Sequence, residues 1–207
     1  MKLPLLSLLS IGLLFNSCAQ TPKKETSKPE PVRIQTDFKL QDFLQDNKDL
    51  DAAVEKVFAS LDDTAIVAQL IMPAVGRLGQ EKTTIDQHIK ERIIGGVLML
   101  NGTKEGFTSW IQDFEKQNKT YGNLPFLYSA DAEPSLVNRK IAGSTLVKKA
   151  NEMKSIDEVR ACAKTISKDL NDIGINYNFS PVVDMSPNAT VGFRSFGAVP
   201  ANIIPWS

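Results

Sequence analysis

Polar side chains stand directly after apolar segments of this chain, where they could bind a ligand. Asn101, Asp131 and Asp184 each close a short apolar run. Arg194 stands in the polar loop beyond the last of these runs. A carboxylate accepts hydrogen bonds and a guanidinium donates several in a fixed fork, so such residues can orient one polar ligand between them. Whether they meet depends on the elements that carry them.

The apolar runs have the length and composition of buried strands. Four are expected, the first as a helical turn that passes into a strand, at residues 65–73, 93–100, 124–131 and 176–183. Amphipathic helices are predicted at residues 50–61, around residues 107–114 and at residues 155–173. Buried strands that alternate with amphipathic helices predict the α/β class with a parallel sheet.

This alternation fits either an open, doubly wound sheet or a barrel. No G-x-G-x-x-G pattern follows a predicted strand, so the nucleotide-binding form of the open sheet has no support. In a (β/α) barrel the functional residues gather at the C-terminal ends of the strands. Asn101, Asp131 and Asp184 fall at such ends, and Arg194 lies in the loop beyond.

The helix predicted at residues 155–173 has the clearest end signals. Ser155 and Glu158 form the S-x-x-E pattern of a capping box, and Gly174 stands where a helix needs a left-handed residue. Its buried face is predicted to be an apolar stripe, which comprises Val159, Cys162, Ile166, Leu170 and Ile173.

Composition excludes several classes of function. The 207 residues include 24 basic and 24 acidic side chains, so bulk charge gives no reason to expect a nucleic-acid partner. His88 is the one histidine, expected as a solvated residue of a polar helix at 84–92, and the cysteines are Cys18 and Cys162. With so few ligands of these types we expect no metal site, and no cofactor is predicted.

The N-terminus has the pattern of a secreted, lipid-anchored protein. Residues 1–17 combine a basic start with an apolar run too short to span a bilayer, which is typical of a signal peptide. Cys18 follows at once, in a place that resembles a bacterial lipobox and implies cleavage before Cys18 and acylation of its thiol. A plain secretory signal with an incidental cysteine is the alternative.

Residues 18–36 are rich in Pro, Lys, Glu, Ser and Thr, and we expect them to form a flexible tether. The expected location is therefore the bacterial cell envelope, at its periplasmic or outer-membrane face. The lipid would bind the membrane, and the folded part would be residues 37–207.

Four motifs together resemble one family, the N-terminal domain of glycoside hydrolase family 3, and within it the bacterial β-N-acetylglucosaminidase branch. The likeness covers about residues 61–197. It rests on a Gly-Gly-led strand (95–100), D-A-E (131–133), V-N-R (137–139) and N-F-S-P-V-V-D through R-S-F-G (178–197). The resemblance implies a TIM-like barrel that removes β-linked sugars with retention of configuration, of which this chain has about four β/α units, the first half.

The resemblance also implies roles for single residues. Asp131 matches the aspartate that hydrogen-bonds the sugar in the −1 subsite. Arg139 matches the arginine of D-x-E-G-G-x-V-x-R, and Arg194 matches the arginine of R-S-F, both of which face the same sugar. From the residues alone, Asp131 could instead cap the next helix, Arg139 could pair with a surface acid, and Asp184 is interpreted as orienting the loop that carries Arg194.

Two departures from the family pattern stand out. Where the family commonly has Glu-Gly-Gly, this chain has Glu133, Pro134 and Ser135, so the loop must take another shape. The family's catalytic histidine loop and aspartate nucleophile follow R-S-F-G, and His88 is not that histidine. We therefore expect no catalytic residue within these 207 residues.

The sequence therefore predicts part of a retaining glycoside hydrolase that removes β-linked N-acetylglucosamine from peptidoglycan- or chitin-type saccharides. The alternatives are a β-glucosidase-type hydrolase of the same family and a non-catalytic surface lipoprotein that binds a sugar or a partner. The expected partners are a saccharide and, through the N-terminal lipid, a membrane.

Overall fold

The structure, a computed structural model, describes residues 38–185 and 188–207 of the chain. The predicted signal peptide (1–17), Cys18 and the predicted tether (18–36) lie outside the described residues. No helix in the described ranges is both long enough and apolar enough to cross a membrane.

Helices and strands alternate along most of the described chain. The strands are β1 (Ala74–Val75), β2 (Gly96–Met99), β3 (Gly102–Thr103), β4 (Leu127–Ala130), β5 (Ile141–Ala142) and β6 (Tyr177–Asn178). The α-helices are α1 (Leu40–Phe43), α2 (Lys48–Phe58), α3 (Asp63–Ala68), α4 (Lys82–Glu91), α5 (Lys104–Tyr121), α6 (Val137–Lys140), α7 (Ile156–Ile173), α8 (Ala189–Gly192) and α9 (Pro200–Trp206), and a 3₁₀ turn spans Ala150–Glu152.

The main sheet is parallel, with the strand order β1-β2-β4-β6. A second, two-stranded parallel ladder joins β3 to β5. Parallel neighbours require crossover connections, and helices α4, α5 and α7 lie in those connections, as the alternating pattern predicts. The α/β class with parallel sheets is thus confirmed. Over the described residues the main sheet is open, with β1 and β6 at its edges.

Helices α5 and α7 supply much of the core that covers the sheet. Phe107, Ile111 and Phe114 of α5 are buried in one cluster with residues of the sheet. From α7 the same cluster takes Cys162, Ile166, Leu170 and Ile173, while Val159 is partly buried against it, so the predicted apolar stripe is confirmed.

The ends of α7 form as their residue types require, with one exception. The Ser155 hydroxyl accepts a hydrogen bond from the Glu158 N–H, and Gly174 ends the helix with φ of 96°. The second half of the capping box does not form, because the Glu158 carboxylate accepts instead from the Lys154 N–H and from Lys148. A Cβ atom at position 174 would lie 3.1 Å from Ile111 Cγ2, so the helix stop is also closely packed.

Two strand predictions differ from the structure in extent. The strand expected at 176–183 ends at Asn178, and residues 179–185 have no regular structure. Pro181 has no N–H to donate to a ladder, and β6 pairs on one side only, with β4. Near the N-terminus, the helical turn at 65–68 is confirmed as part of α3, but the strand begins after Pro73, at Ala74.

A buried acid ties α5 to α7 and to the loop after β5. Asp169 is 5% exposed, and its carboxylate accepts hydrogen bonds from Lys104 Nζ at 2.8 Å and from the N–H and hydroxyl of Thr145. Burial by itself would raise the pKa of Asp169, but these hydrogen bonds outweigh it and hold the pKa below the usual value.

Asp169→Asn should therefore make the stability of the fold less sensitive to acid. A carboxyl group whose pKa is lowered by folding contributes its full stability well above about pH 4, and loses it as the pH falls through the folded-state pKa. Urea unfolding between about pH 7 and about pH 2 should give a shallower pH dependence for this variant. Asp157→Asn, at a side chain 88% exposed, is the matched control and should keep the original slope. An unchanged slope in Asp169→Asn would contradict this account.

Candidate functional site

The C-terminal ends of β2, β4 and β6 meet at one edge of the parallel sheet. Asn101 follows β2, Asp131 follows β4 directly, and Asn178 ends β6. Asn101 is 9% exposed and adopts the left-handed conformation with φ of 59°, which asparagine tolerates better than most residues. We call this edge, with the loops that follow the three strands, the mouth.

Two asparagines of the 176–178 segment tie β6 to β4, Asn178 at the mouth and Asn176 near the start of β4. The side-chain oxygen of Asn178 accepts from the Ala132 N–H at 3.0 Å, and that of Asn176 accepts from the Tyr128 N–H at 2.9 Å. Asn176 also donates to the Phe126 carbonyl at 3.1 Å. These side-chain amides add hydrogen bonds between the strands beyond those of the backbone, a role that sequence reasoning did not assign to them.

Asp131 forms an ion pair with Lys140 at the mouth. Lys140, the last residue of α6, donates from Nζ to Asp131 Oδ2. The Lys140 side chain is 12% exposed and the Asp131 side chain 32% exposed, so the carboxylate still faces solvent. Its other oxygen, Oδ1, has no hydrogen-bond partner among the described residues. Asp131 does not cap a helix, since the N-cap of α6 is Leu136 and makes no side-chain cap bond.

Arg139, the neighbour of Lys140, lies in a different environment. Its side chain is exposed, and within the described ranges it forms neither an ion pair nor a hydrogen bond. The structure therefore brings Lys140, and not Arg139, onto Asp131. A role for Arg139 toward a ligand stays a prediction, and the alternative of a surface ion pair finds no acid beside it in this part of the chain.

Arg194 is held by Glu133, a residue to which sequence reasoning gave no role. Arg194 Nε donates to Glu133 Oε1 at 2.6 Å; the Glu133 side chain is fully buried and that of Arg194 is 30% exposed. The second carboxylate oxygen, Oε2, is buried without a partner among the described residues. Arg194 is therefore the one cation that compensates the charge of Glu133 there. The sequence signal that could have identified Glu133 is its position as the second acid of D-x-E, two residues after a strand-end aspartate.

Three acids raise the pKa of the Arg194 guanidinium above its ordinary value. The hydrogen bond that Arg194 donates to Glu133 has the largest effect, and the attraction of Asp131 and of Asp184 adds to it. Asp184 itself is exposed. Because Glu133 follows Asp131 by two residues and binds Arg194, the predicted site residues Asp131 and Arg194 lie at the same mouth.

The two terminal nitrogens of Arg194 have no hydrogen-bond partner among the described residues. A guanidinium whose Nε is fixed can direct its remaining N–H groups in one plane. The mouth therefore presents a fixed set of donors on Arg194 and an unfilled acceptor on Asp131.

Metal-binding chemistry finds no support among the described residues, where no group of three or more His, Cys, Asp or Glu side chains could hold an ion. His88 differs from the expectation of a solvated side chain. It is half-buried on α4, and its Nδ1 is buried without a partner in the described part of the chain.

Comparison with known proteins assigns the domain. The family model described as the glycosyl hydrolase family 3 N-terminal domain matches residues 63–204. The β-hexosaminidase LpqI of Mycobacterium tuberculosis is 32% identical over 93 residues, which is 42% of this chain and 24% of that protein. This chain thus spans about a quarter of the curated relative's length.

Solved structures share the fold. A glycoside hydrolase family 3 β-N-acetylglucosaminidase from Paenibacillus sp. FPU-7 superposes with a TM-score of 0.60 at 25% identity, over 69% of this chain and 29% of that chain. Two structures of the β-glucoside phosphorylase BglX superpose with TM-scores of 0.64 and 0.60 at 18% identity, over 77% of this chain and 29% and 28% of those chains. At 18% identity that likeness concerns the fold alone.

Arg194→Ala should destabilise the fold as well as any ligand complex, because it leaves the Glu133 carboxylate buried without a counter-charge. We expect a loss of about 3 kcal/mol, the low end of the range for breaking a buried pair, since Arg194 is partly exposed. The double variant Glu133→Gln/Arg194→Ala should recover part of this loss, and urea unfolding measures both.

The matched control is Arg139→Ala, which removes an exposed arginine and should change the free energy of unfolding by no more than about 0.5 kcal/mol. Equal losses for the two arginine variants would mean that the Glu133–Arg194 pair does not stabilise the fold.

Proposed function

This chain belongs to glycosyl hydrolase family 3, and from that membership we propose that its mouth binds the non-reducing β-linked N-acetylglucosamine of peptidoglycan- or chitin-type saccharides. The protein to which the mouth belongs would be a retaining β-N-acetylhexosaminidase. Supporting the choice of sugar are the 32% identity to a β-hexosaminidase and the fold shared with a β-N-acetylglucosaminidase.

One observation carries the proposal: Asp131 and Arg194 are each engaged in an ion pair, yet both keep free hydrogen-bonding groups among the described residues. Asp131 is paired with Lys140 and Glu133 with Arg194, so neither pair leaves a net charge. Asp131 Oδ1 and the terminal nitrogens of Arg194 are still available within the described residues. Such a site favours a neutral ligand with many hydroxyl groups over an anion or a cation.

The proposed roles follow from these groups. Asp131 Oδ1 accepts hydrogen bonds from sugar hydroxyls, while the Arg194 terminal nitrogens donate to sugar oxygens from the other side. Arg139, exposed and unpaired in the described part of the chain, would contribute a further donor. Lys140 would hold the Asp131 carboxylate in one orientation.

Two other functions fit parts of the same picture. A β-glucosidase-type hydrolase would use the same donors and acceptors. A non-catalytic, sugar-binding lipoprotein would need the mouth but no chemistry.

The natural gene product should hydrolyse p-nitrophenyl N-acetyl-β-glucosaminide in preference to p-nitrophenyl β-glucoside. A reversed preference would support the β-glucosidase, and turnover of neither would support the binding protein.

The 207-residue chain should bind N-acetylglucosamine, and Asp131→Asn should weaken that binding about 10- to 100-fold, as expected for a hydrogen bond to a charged acceptor. Titration followed by NMR of the mouth residues measures both affinities. Asp172→Asn is the matched control, since Asp172 also pairs with lysines, Lys168 and Lys104, but on α7. Equal affinities for Asp131→Asn and the unsubstituted chain would remove Asp131 from the site.

This same chain should not turn the chromogenic substrate over. Retaining hydrolysis needs a free carboxylate nucleophile and a second carboxyl group or equivalent acid/base. The family's aspartate nucleophile and catalytic histidine loop follow R-S-F-G, and neither motif is matched within these 207 residues. Hydrolysis by the purified 207 residues would overturn these assignments.

We also propose that the mature protein begins at Cys18 and is acylated there, which would place it on a membrane of the bacterial cell envelope. The support is the sequence pattern: an apolar run, a cysteine at its end and a polar tether of residues 18–36. Mass spectrometry of the mature N-terminus should show a lipid-modified Cys18. An unmodified Cys18, or cleavage at another residue, would exclude the anchor.

A further inference from the structure

Two side chains of the loop after β4 hold the loop that carries Arg194. Glu133 Oε1 accepts from Arg194 Nε at 2.6 Å, and the Ser135 hydroxyl donates to the Phe193 carbonyl at 2.7 Å. The two bonds fasten consecutive residues, 193 and 194, to residues two apart in the other loop. One bond fixes a side chain and the other fixes the backbone just before it.

Ser135 makes a second bond that ties a third segment to the same point. Its oxygen accepts from the Ala150 N–H at 3.0 Å, at the start of the 3₁₀ turn. Ala150 is 1% exposed, so this anchor belongs to the core. The Ser135 hydroxyl thus donates to the loop of Arg194 and accepts from the core.

The far side of the Arg194 loop is also buried. Ser195 is fully buried, and Phe196 is 7% exposed and packs edge-to-face on Trp206 at 5.9 Å between ring centroids. Residues on both sides of Arg194 are therefore held by the protein, while its terminal nitrogens stay free among the described residues. Because the loop is held on both sides of Arg194, the orientation of the Arg194 guanidinium is restricted.

From this geometry we infer that Ser135 and Glu133 are positioning residues for Arg194. The inference rests on the proposed function, in which Arg194 donates to the sugar. Ser135 stands where the family commonly has a glycine, and a glycine could form neither of its side-chain bonds. At Pro134 and Ser135 this chain therefore lacks the backbone freedom of the family's two glycines. In its place, the hydrogen bonds of Ser135 support the loop that carries Arg194.

The expected consequence is a tighter sugar complex. Arg194 does not have to be ordered when the sugar binds, because its Nε and the preceding carbonyl are fixed in the free chain. Loosening the support should lower affinity without removing any group that touches the sugar.

Ser135→Ala tests the inference through two readouts. In the free chain, the Arg194 Nε–H should exchange with water about 5-fold faster than in the unsubstituted chain, the change equivalent to one hydrogen bond. Affinity for N-acetylglucosamine should fall by a similar factor. NMR measures both, and Ser135→Thr, which keeps a hydroxyl, should restore both.

Ser155→Ala is the matched control, because it also removes a serine hydroxyl that accepts from a backbone N–H, at the start of α7. It should lower stability but leave both the Arg194 exchange rate and the sugar affinity unchanged. Should Ser135→Ala fail to fold, Glu133→Gln is used instead, and it should also speed the exchange of the Arg194 Nε–H.

The outcomes separate the inference from the function. Unchanged Arg194 exchange in the folded Ser135→Ala or Glu133→Gln chain overturns the inference, as does an equal effect of Ser155→Ala. If the unsubstituted chain binds no N-acetylglucosamine, the proposed function fails, and the positioning of Arg194 is then decided by the exchange rates alone.

Discussion

A fully buried carboxylate with one cationic partner constrains much of this structure. Glu133 lies beyond the end of β4 with none of its surface exposed, and its partner Arg194 is 61 residues further along the chain. An ionised carboxyl group in such a place is costly unless a cation meets it. The chain between the two residues, which includes α7 and β6, must therefore return to the point where the pair can form.

The parallel sheet makes that return possible. Because β4 and β6 run in the same direction, the loops that follow them leave from the same edge. The amides of Asn176, near the start of β4, and of Asn178, at the mouth, add hydrogen bonds across these strands, which fix their register. Register decides which face each side chain takes, so these bonds help to place Asp131 and Arg194 around one space.

The sequence predicted elements with local signals well and contacts between distant loops poorly. Helix α7 was found because its stripe, its serine cap and its glycine stop agree. The strand expected at 176–183 was too long, since an apolar pair after Pro181 resembles a strand but has no ladder to join. Lys140, to which sequence reasoning gave no role although it pairs with Asp131, illustrates a finer limit. Adjacent helical residues point about 100° apart, and motif matching alone did not show which basic residue turns toward Asp131. Glu133 was overlooked because burial of an acid depends on a partner 61 residues away.

The side chains of Arg194 and Arg139 would lose their conformational freedom at different stages. The order of Arg194 is settled as the chain folds, by Glu133, by the Ser135 bond to Phe193 and by burial of the residues that follow it. Arg139 is exposed and unpaired in the described part of the chain, so any contact with a sugar must order a long side chain at the moment of binding. Under the proposed function, the fixed donors of Arg194 would therefore select the orientation of the sugar ring, while Arg139 would adapt to substituents that vary between saccharides. Specificity would then be highest for the part of the sugar that Arg194 contacts.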